Sequence, residues 1–184
     1  MKRVLILLTA IGFFMACNDE KKDDDKNGDD KKDTKMSEKV DLPYKADYSD
    51  FKMGDPKNTK LVLDFYKTFE ENRMDDGKAM LADSVSVNFA DGSKFNGSKD
   101  SLVALGKQYR GSYTAYRVTI DACMSVHENA KNEDWVLVWD RSYFTDQKGK
   151  SDSMGGHAYW QIRNGKIAYW GEQQAKLAAS AEMK

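Results

Sequence analysis

Asn164-Gly165 stands between two segments, 156–163 and 167–173, that are rich in alternating apolar and polar residues, and this pair constrains the chain more than any other feature. A two-residue type I′ turn needs positive φ at both central positions, which Asn and Gly tolerate best, and its twist matches that of two paired strands. The segments therefore predict an antiparallel hairpin. Counting outward from the turn sets a register in which Ile162 faces Ile167, Trp160 faces Tyr169 and Ala158 faces Gly171 on one side. His157/Glu172, Tyr159/Trp170 and Gln161/Ala168 pair on the other, which places Trp160 and Tyr169 inward and Tyr159 and Trp170 outward.

Upstream of the hairpin the pattern continues as strands over 113–126 and 135–145, separated by polar turns. Before them the period changes. Leu61, Phe65 and Phe69 at i, i+4, i+8 predict a helix over 59–73, and a short second helix over 78–82 leads into a strand at 84–89. Ser98 is a candidate N-cap for a third helix that carries Leu102, Leu105 and Tyr109 on one face and stops at Gly111. Helices followed by a run of antiparallel strands make an α+β domain over 58–184, with an irregular lead-in at 41–57.

The first forty residues are of another kind. Met1-Lys2-Arg3 precedes an apolar run, 4–16, that would span about 20 Å as a helix against the roughly 30 Å of a bilayer core, so 1–16 reads as an export signal rather than a permanent span. Phe14-Met15-Ala16-Cys17 resembles the lipobox of bacterial lipoproteins, which implies acylation of Cys17 and attachment to a membrane through its acyl chains. Residues 17–40 form a charged tether: 18–39 hold nine acids and seven bases with Met36 as the single large apolar side chain, too little to offset ordering entropy. Its acidic start, Asp19-Glu20 and Asp23-Asp24-Asp25, resembles the surface-export signals of lipoproteins of the Bacteroidetes and implies the bacterial cell envelope, at the outer membrane. Asp23, Asp25, Asn27 and Gly28 mimic the first half of a calcium loop, but Thr34 stands where a bidentate Glu is required.

The order of elements, together with Phe65-Tyr66, Leu81-Ala82-Asp83-Ser84-Val85, Asp91-Gly92 through Asn96-Gly97-Ser98, and Asn164-Gly165-Lys166-Ile167, resembles the NTF2-like superfamily and its SnoaL-like branch. A cystatin-like helix-on-sheet domain is the nearest competing arrangement. The resemblance implies a curved antiparallel sheet wrapped round N-terminal helices into a cone, an open end that often takes a small hydrophobic ligand, and a sheet face that often makes a homodimer.

Composition narrows the chemistry by exclusion. With 29 Lys+Arg against 30 Asp+Glu there is no basic excess to serve a nucleic acid, and 32% charged residues exclude a polytopic membrane protein. The chain has no H-E-x-x-H, C-x-x-C, G-x-G-x-x-G, P-loop or G-x-S-x-G, and only His127 and His157 offer imidazole, so neither metal nor cofactor is expected. His127 reads as a solvated turn residue and Cys123 as a small apolar side chain of a strand. Three weak acid–base candidates remain: Asp140, a carboxylate in an apolar strand, and His157 with Glu172 across the hairpin. Trp139, Trp160 and Tyr169 are the expected ligand contacts. The leading expectation is an envelope lipoprotein that binds a small hydrophobic ligand or a protein partner without catalysis. The alternatives are a SnoaL-like enzyme that moves a proton on such a ligand, as an isomerase, cyclase or dehydratase, and a dimeric interaction module with a filled cone.

Mass spectrometry of the membrane-extracted protein is expected to find an acylated N-terminal cysteine at position 17, and Cys17→Ala is expected to move the protein out of the membrane fraction. A mature terminus elsewhere, unmodified, would refute the anchor.

Overall fold

The computed structural model describes residues 43–177. The expected export signal, Cys17, the expected tether with its calcium-loop mimic, and 178–184 lie outside the described residues. The elements run β1 (Phe51–Met53), α1 (Pro56–Glu70), α2 (Met74–Gly77), a single 3₁₀ turn (Lys78–Met80), β2 (Leu81–Asn88), β3 (Lys94–Ser98), α3 (Lys99–Arg110), β4 (Tyr113–Glu128), β5 (Glu133–Asp146), β6 (Ser151–Arg163) and β7 (Lys166–Lys176).

The helices begin and end where their capping chemistry dictates. Asp55 accepts from the Lys57 N–H at 2.8 Å and Pro56 occupies the first turn, where its missing N–H is harmless. α1 therefore starts three residues before its apolar stripe suggests, and it stops before Asn72, whose φ is +57°. Ser98 caps α3 as expected, accepting from the Ser101 N–H at 3.2 Å, and Gly111 follows its last residue.

The strands form one sheet in the order β1-β4-β5-β6-β7-β2-β3. β4 to β7 are an antiparallel meander, whereas β2 lies parallel to β7, so the expected antiparallel sheet is mixed at one seam. Two short strands are additions to the sequence reading. β1 pairs with the end of β4 inside the expected irregular lead-in, and β3 pairs only with β2.

The hairpin turn is as expected, with Asn164 and Gly165 both at positive φ, and Ile162 does face Ile167. One residue further the expected register fails. A β-bulge leaves Ala168 without a partner, so Gln161 pairs with Tyr169, Trp160 with Trp170, Tyr159 with Gly171, Ala158 with Glu172 and His157 with Gln173. Because side chains alternate with a period of two, this single extra residue inverts everything beyond it on β7. Trp170 and Glu172 turn inward and Tyr169 turns outward, and the expected His157/Glu172 pair does not form.

The inward face of the sheet packs on α1 and α3 through Val62, Phe65, Leu102, Val103, Leu81, Val85, Val87, Val136, Val138, Trp160, Ile162, Ile167 and Trp170, all buried. Each fully buried aliphatic or aromatic side chain contributes roughly 1.5–3 kcal/mol of transfer free energy. Phe65 sits edge-on to Trp160 and tilted to Trp170 at centroid distances of 6.0 and 5.9 Å, and the two indoles stack at 4.6 Å. On the opposite face Trp135, Tyr159 and Tyr169 form a half-buried cluster with centroids about 6 Å apart, partly covered by Tyr48.

Trp170 is thus core, not surface. Trp170→Ala is expected to cost about 3–5 kcal/mol in urea unfolding, and Tyr169→Ala, on the other face, distinctly less. Equal costs would contradict the bulged register.

Candidate functional site

Between α1, α3 and the inner face of the sheet lies a cavity of about 610 Å³, within the range of small-molecule sites. The cone is open. Phe65, Phe69, Met74, Leu102, Tyr116, Trp160 and Trp170 line it, and Leu105 and Tyr109, both exposed, belong to its rim. Among the described residues no lysine or arginine lines it.

Its innermost polar groups come from β5, β7 and α1. Asp140 points inward from β5, with only 7% of its surface exposed. The Tyr66 hydroxyl donates to its Oδ1 and the Ser142 hydroxyl to its Oδ2, both at 3.3 Å. Strand parity explains Ser142, two residues along the same face, and Tyr66 arrives because α1 lays the residue after its core Phe65 against the sheet. Opposite Asp140 on β6 is Gly156, where a Cβ would stand 3.1 Å from Asp140 Oδ1. The next inward position is Ala158, which pairs with Glu172. The inward positions of β6 opposite the two carboxyls are thus both small residues.

Burial pushes the Asp140 carboxyl above its ordinary range, and the Ser142 and Tyr66 hydroxyls partly counter it; the Asp121 charge adds to the rise and His157 opposes it. Burial pushes Glu172 up to about 7, reinforced by the charges of Asp140 and Asp91 and opposed by the Ala90 backbone N–H. Tyr66 is held well above the usual phenol value, first by burial and then by Asp140, and stays a neutral donor. The cavity therefore combines two inward carboxyls, one of them poised near neutrality, with the Tyr66 phenol in a largely apolar enclosure, and the exposed carboxylate of Asp91 also borders it. Such a set can give and take protons at neutral pH.

Of the residues expected from sequence, the structure brings Asp140, Glu172 and Trp160 together. Trp139 and Tyr169 lie on the other face of the sheet and do not line the cavity. His157 touches the cavity wall beside Gly156, but its ring packs on Trp139 at 4.8 Å on the outer face. His127 is a strand residue whose Nδ1 lies 2.8 Å from Asp134 Oδ1, and Cys123 packs at the edge of the core. Tyr66, Ser142 and Tyr116 were not anticipated as site residues. Ser142 was within reach of the alternation rule, while the two tyrosines depend on how α1 meets the sheet.

The chain superposes on solved structures of one architecture. An LEH-like epoxide hydrolase of M. tuberculosis matches with a TM-score of 0.54 at 14% identity, over 65% of this chain and 83% of that one. An NTF2-like protein of unknown function from Burkholderia pseudomallei gives 0.54 at 17%, over 65% and 91%. The fold is NTF2-like. A proposed SnoaL-like polyketide cyclase from Jannaschia sp. CCS1 gives 0.54 at 9%, over 65% and 86%. Neither a family model nor a curated protein sequence matches the chain. Identities this low establish the NTF2-like fold and leave the chemistry to the residues in the cone.

The Glu172 carboxyl leaves a signature in stability. From about pH 5 to 7 the unfolded carboxyl is ionised while the folded one keeps its proton, so the native state binds more protons and loses stability as pH rises. The fall is expected to be at most about 2–3 kcal/mol, and Glu172→Gln should remove most of it when urea midpoints are compared from pH 5 to 8. An unchanged slope would show that Glu172 does not titrate in the cavity.

Proposed function

We propose that the protein is an acid–base enzyme acting on a small, neutral, largely apolar substrate bound in the cone, with Asp140 and Glu172 as its proton carriers. One observation carries this reading: two inward carboxyls, Asp140 and Glu172, share a cavity whose lining is largely apolar and, among the described residues, free of lysine and arginine, and the one with its pKa near 7 can hold a proton while the other accepts one. Asp140, oriented by Tyr66 and Ser142, suits the base that takes a proton from a carbon beside a carbonyl, or from a water. Glu172 suits the acid that returns one. The aromatic walls exclude water and strengthen both effects. An LEH-like epoxide hydrolase and a SnoaL-like polyketide cyclase among the fold neighbours fit such chemistry.

The second reading, binding without catalysis, is favoured by the same apolar walls and is the one the sequence alone prefers. The Cys17 motif supports an envelope lipoprotein under either reading, and the outer Trp135, Tyr159 and Tyr169 cluster supports self-association through the sheet.

Proton exchange separates the two. Enolisable cyclic ketones in D₂O are expected to incorporate deuterium faster with the protein, with a pH dependence centred near 7. Asp140→Asn should lower that rate at least about 100-fold, and Glu172→Gln should flatten the pH profile. If the ketones bind but neither exchange nor the hydration of cyclic epoxides is accelerated, the binding reading replaces the enzymatic one.

A further inference from the structure

The charge of the cavity is unbalanced. Asp140 and Glu172 point inward, and Asp91 borders the cavity from the turn after β2. Among the described residues the lining offers no lysine or arginine to set against them. His157 touches the wall but turns its ring to Trp139 on the outer face. The Arg110 guanidinium lies 5.8 Å from the Tyr116 ring, yet it donates to main-chain carbonyls and does not border the cavity. At the surface the situation is the reverse, where Asp75, Asp83 and Asp121 each have a lysine or arginine within salt-bridge reach. The carboxyls that water serves least are thus the ones without a counter-charge. A carboxyl in that position keeps its proton instead, as Glu172 does up to about 7 under burial and the charges of Asp140 and Asp91, against the Ala90 backbone N–H.

The walls beside these carboxyls are aromatic, and their rings are accessible. Tyr66, Phe69 and Tyr116 are half-buried and Tyr109 is exposed. Phe69 meets Tyr116 edge-on with centroids 5.0 Å apart, and Tyr109 at 6.0 Å. Burial raises the phenol pKa of Tyr66, Tyr109 and Tyr116, and the Glu172 charge adds to the rise in all three, which sets its carboxyl among them. Aromatic faces attract a cation, and the attraction grows as water is excluded. An anion would be repelled by the carboxyls. A hydrocarbon would suit the walls but would strip water from the carboxyls and return nothing. A cation on an apolar frame satisfies both.

We propose that the cone binds an organic cation, a protonated amine or quaternary ammonium on a compact apolar frame, with its positive centre held by Asp140 and Glu172 and its substituents against Phe69, Tyr109 and Tyr116. This goes beyond the acid–base reading and does not depend on it, since such a cation is a ligand of the cone and a competitor of a neutral substrate. Binding is coupled to a proton, because Glu172 attracts a cation only after losing its own. The groups facing Glu172 are Asp140 on β5, Asp91 after β2, the phenols of Tyr66, Tyr109 and Tyr116 on α1, α3 and β4, and His157 at the β6 wall with its ring outward. The phenols stay neutral, so the carboxyls are the inward groups that change charge. Affinity for a cation therefore rises with pH and levels off once Glu172 is ionised, above about 7.

The test titrates the whole chain calorimetrically with benzyltrimethylammonium, whose charge is independent of pH, and with its uncharged carbon isostere neopentylbenzene. The cation should bind roughly 10- to 30-fold more tightly at pH 8 than at pH 5.5, while the isostere shows no such rise. At pH 6 each bound cation should release up to one proton, read by comparing two buffers of different ionisation heat. Glu172→Gln should abolish both effects. Phe69→Leu should weaken the cation roughly 2- to 5-fold and the isostere distinctly less. The cation should also inhibit ketone exchange competitively. A flat pH profile, no proton release, a rise that survives Glu172→Gln or is shared by the isostere, or no cation binding at all overturns the inference and leaves the proton-exchange reading standing. Cation binding with proton release, but without any acceleration of exchange, overturns the enzymatic reading and leaves the cation site in place.

Discussion

The unpaired residue Ala168 is the constraint on which the rest depends. A regular hairpin out of Asn164-Gly165 would send Tyr169 into the cone and Trp170 to the surface, and would turn Glu172 away from Asp140. The bulge makes Ile167 and Trp170, three residues apart, both inward residues, and every later side chain of β7 follows. One extra residue therefore assembles the Phe65/Trp160/Trp170 cluster and delivers a carboxyl to an apolar cavity. Bulges recur beside functional sites because they re-aim a side chain without changing the strand's path.

The same cavity is a stability liability, and the balance between the two roles is visible in its lining. A carboxyl whose pKa is raised by burial opposes folding once it ionises, and the Asp140 charge raises that of Glu172 further. A chain selected only for stability would place apolar side chains at 140 and 172. Asp140 is instead given two hydroxyl donors and a glycine opposite it, which stabilise the carboxyl without neutralising it. The cost is met nearer the core on the same strands, where Val136, Val138 and Ile167 are fully buried.

Sequence reasoning reached the fold because its strongest signals are local. The Asn-Gly turn, the Ser98 cap and the period of the α1 stripe act within a few residues and were realised as read. What it missed depended on partners elsewhere. β3 is short, exposed on one face and held only by β2, and β1 exists only because β4 extends to meet it. The bulge did leave a trace: Ile167-Ala168-Tyr169-Trp170 breaks strict alternation with four apolar side chains in a row, which a regular two-faced strand does not require. Trp139 illustrates a parity argument that was available, since consecutive strand residues face opposite sides and it cannot share the cavity with Asp140. Asp140 was legible as a carboxylate among apolar neighbours. Tyr66 was not, because only the rotation of α1 on the sheet brings it there.

Packing through Val62 and Phe65 is not the whole of what holds that rotation, since the cavity removes packing atoms from the side of α1 where Tyr66 and Phe69 lie. The helix is also secured at its ends. At its start Asp55 caps it, and the adjoining Gly54 N–H donates to the Ser125 carbonyl of β4 at 2.9 Å, fitting so closely over the Ser125 hydroxyl that no larger residue fits without a shift. At its finish the buried guanidinium of Arg110, from the last turn of α3, donates to the carbonyls of Phe69 and Glu70 and to that of Tyr113 at the start of β4. A cation on the terminal carbonyls of a helix is favoured by their partial negative charge, and the rigid fork of Arg spans several of them at once. Both clamps join α1 to β4, and β4 is bonded along its length to the strand that carries Asp140. The position of the Tyr66 hydroxyl over the carboxylate is therefore set in part by polar contacts at the two ends of a helix, leaving the space between them free for a ligand.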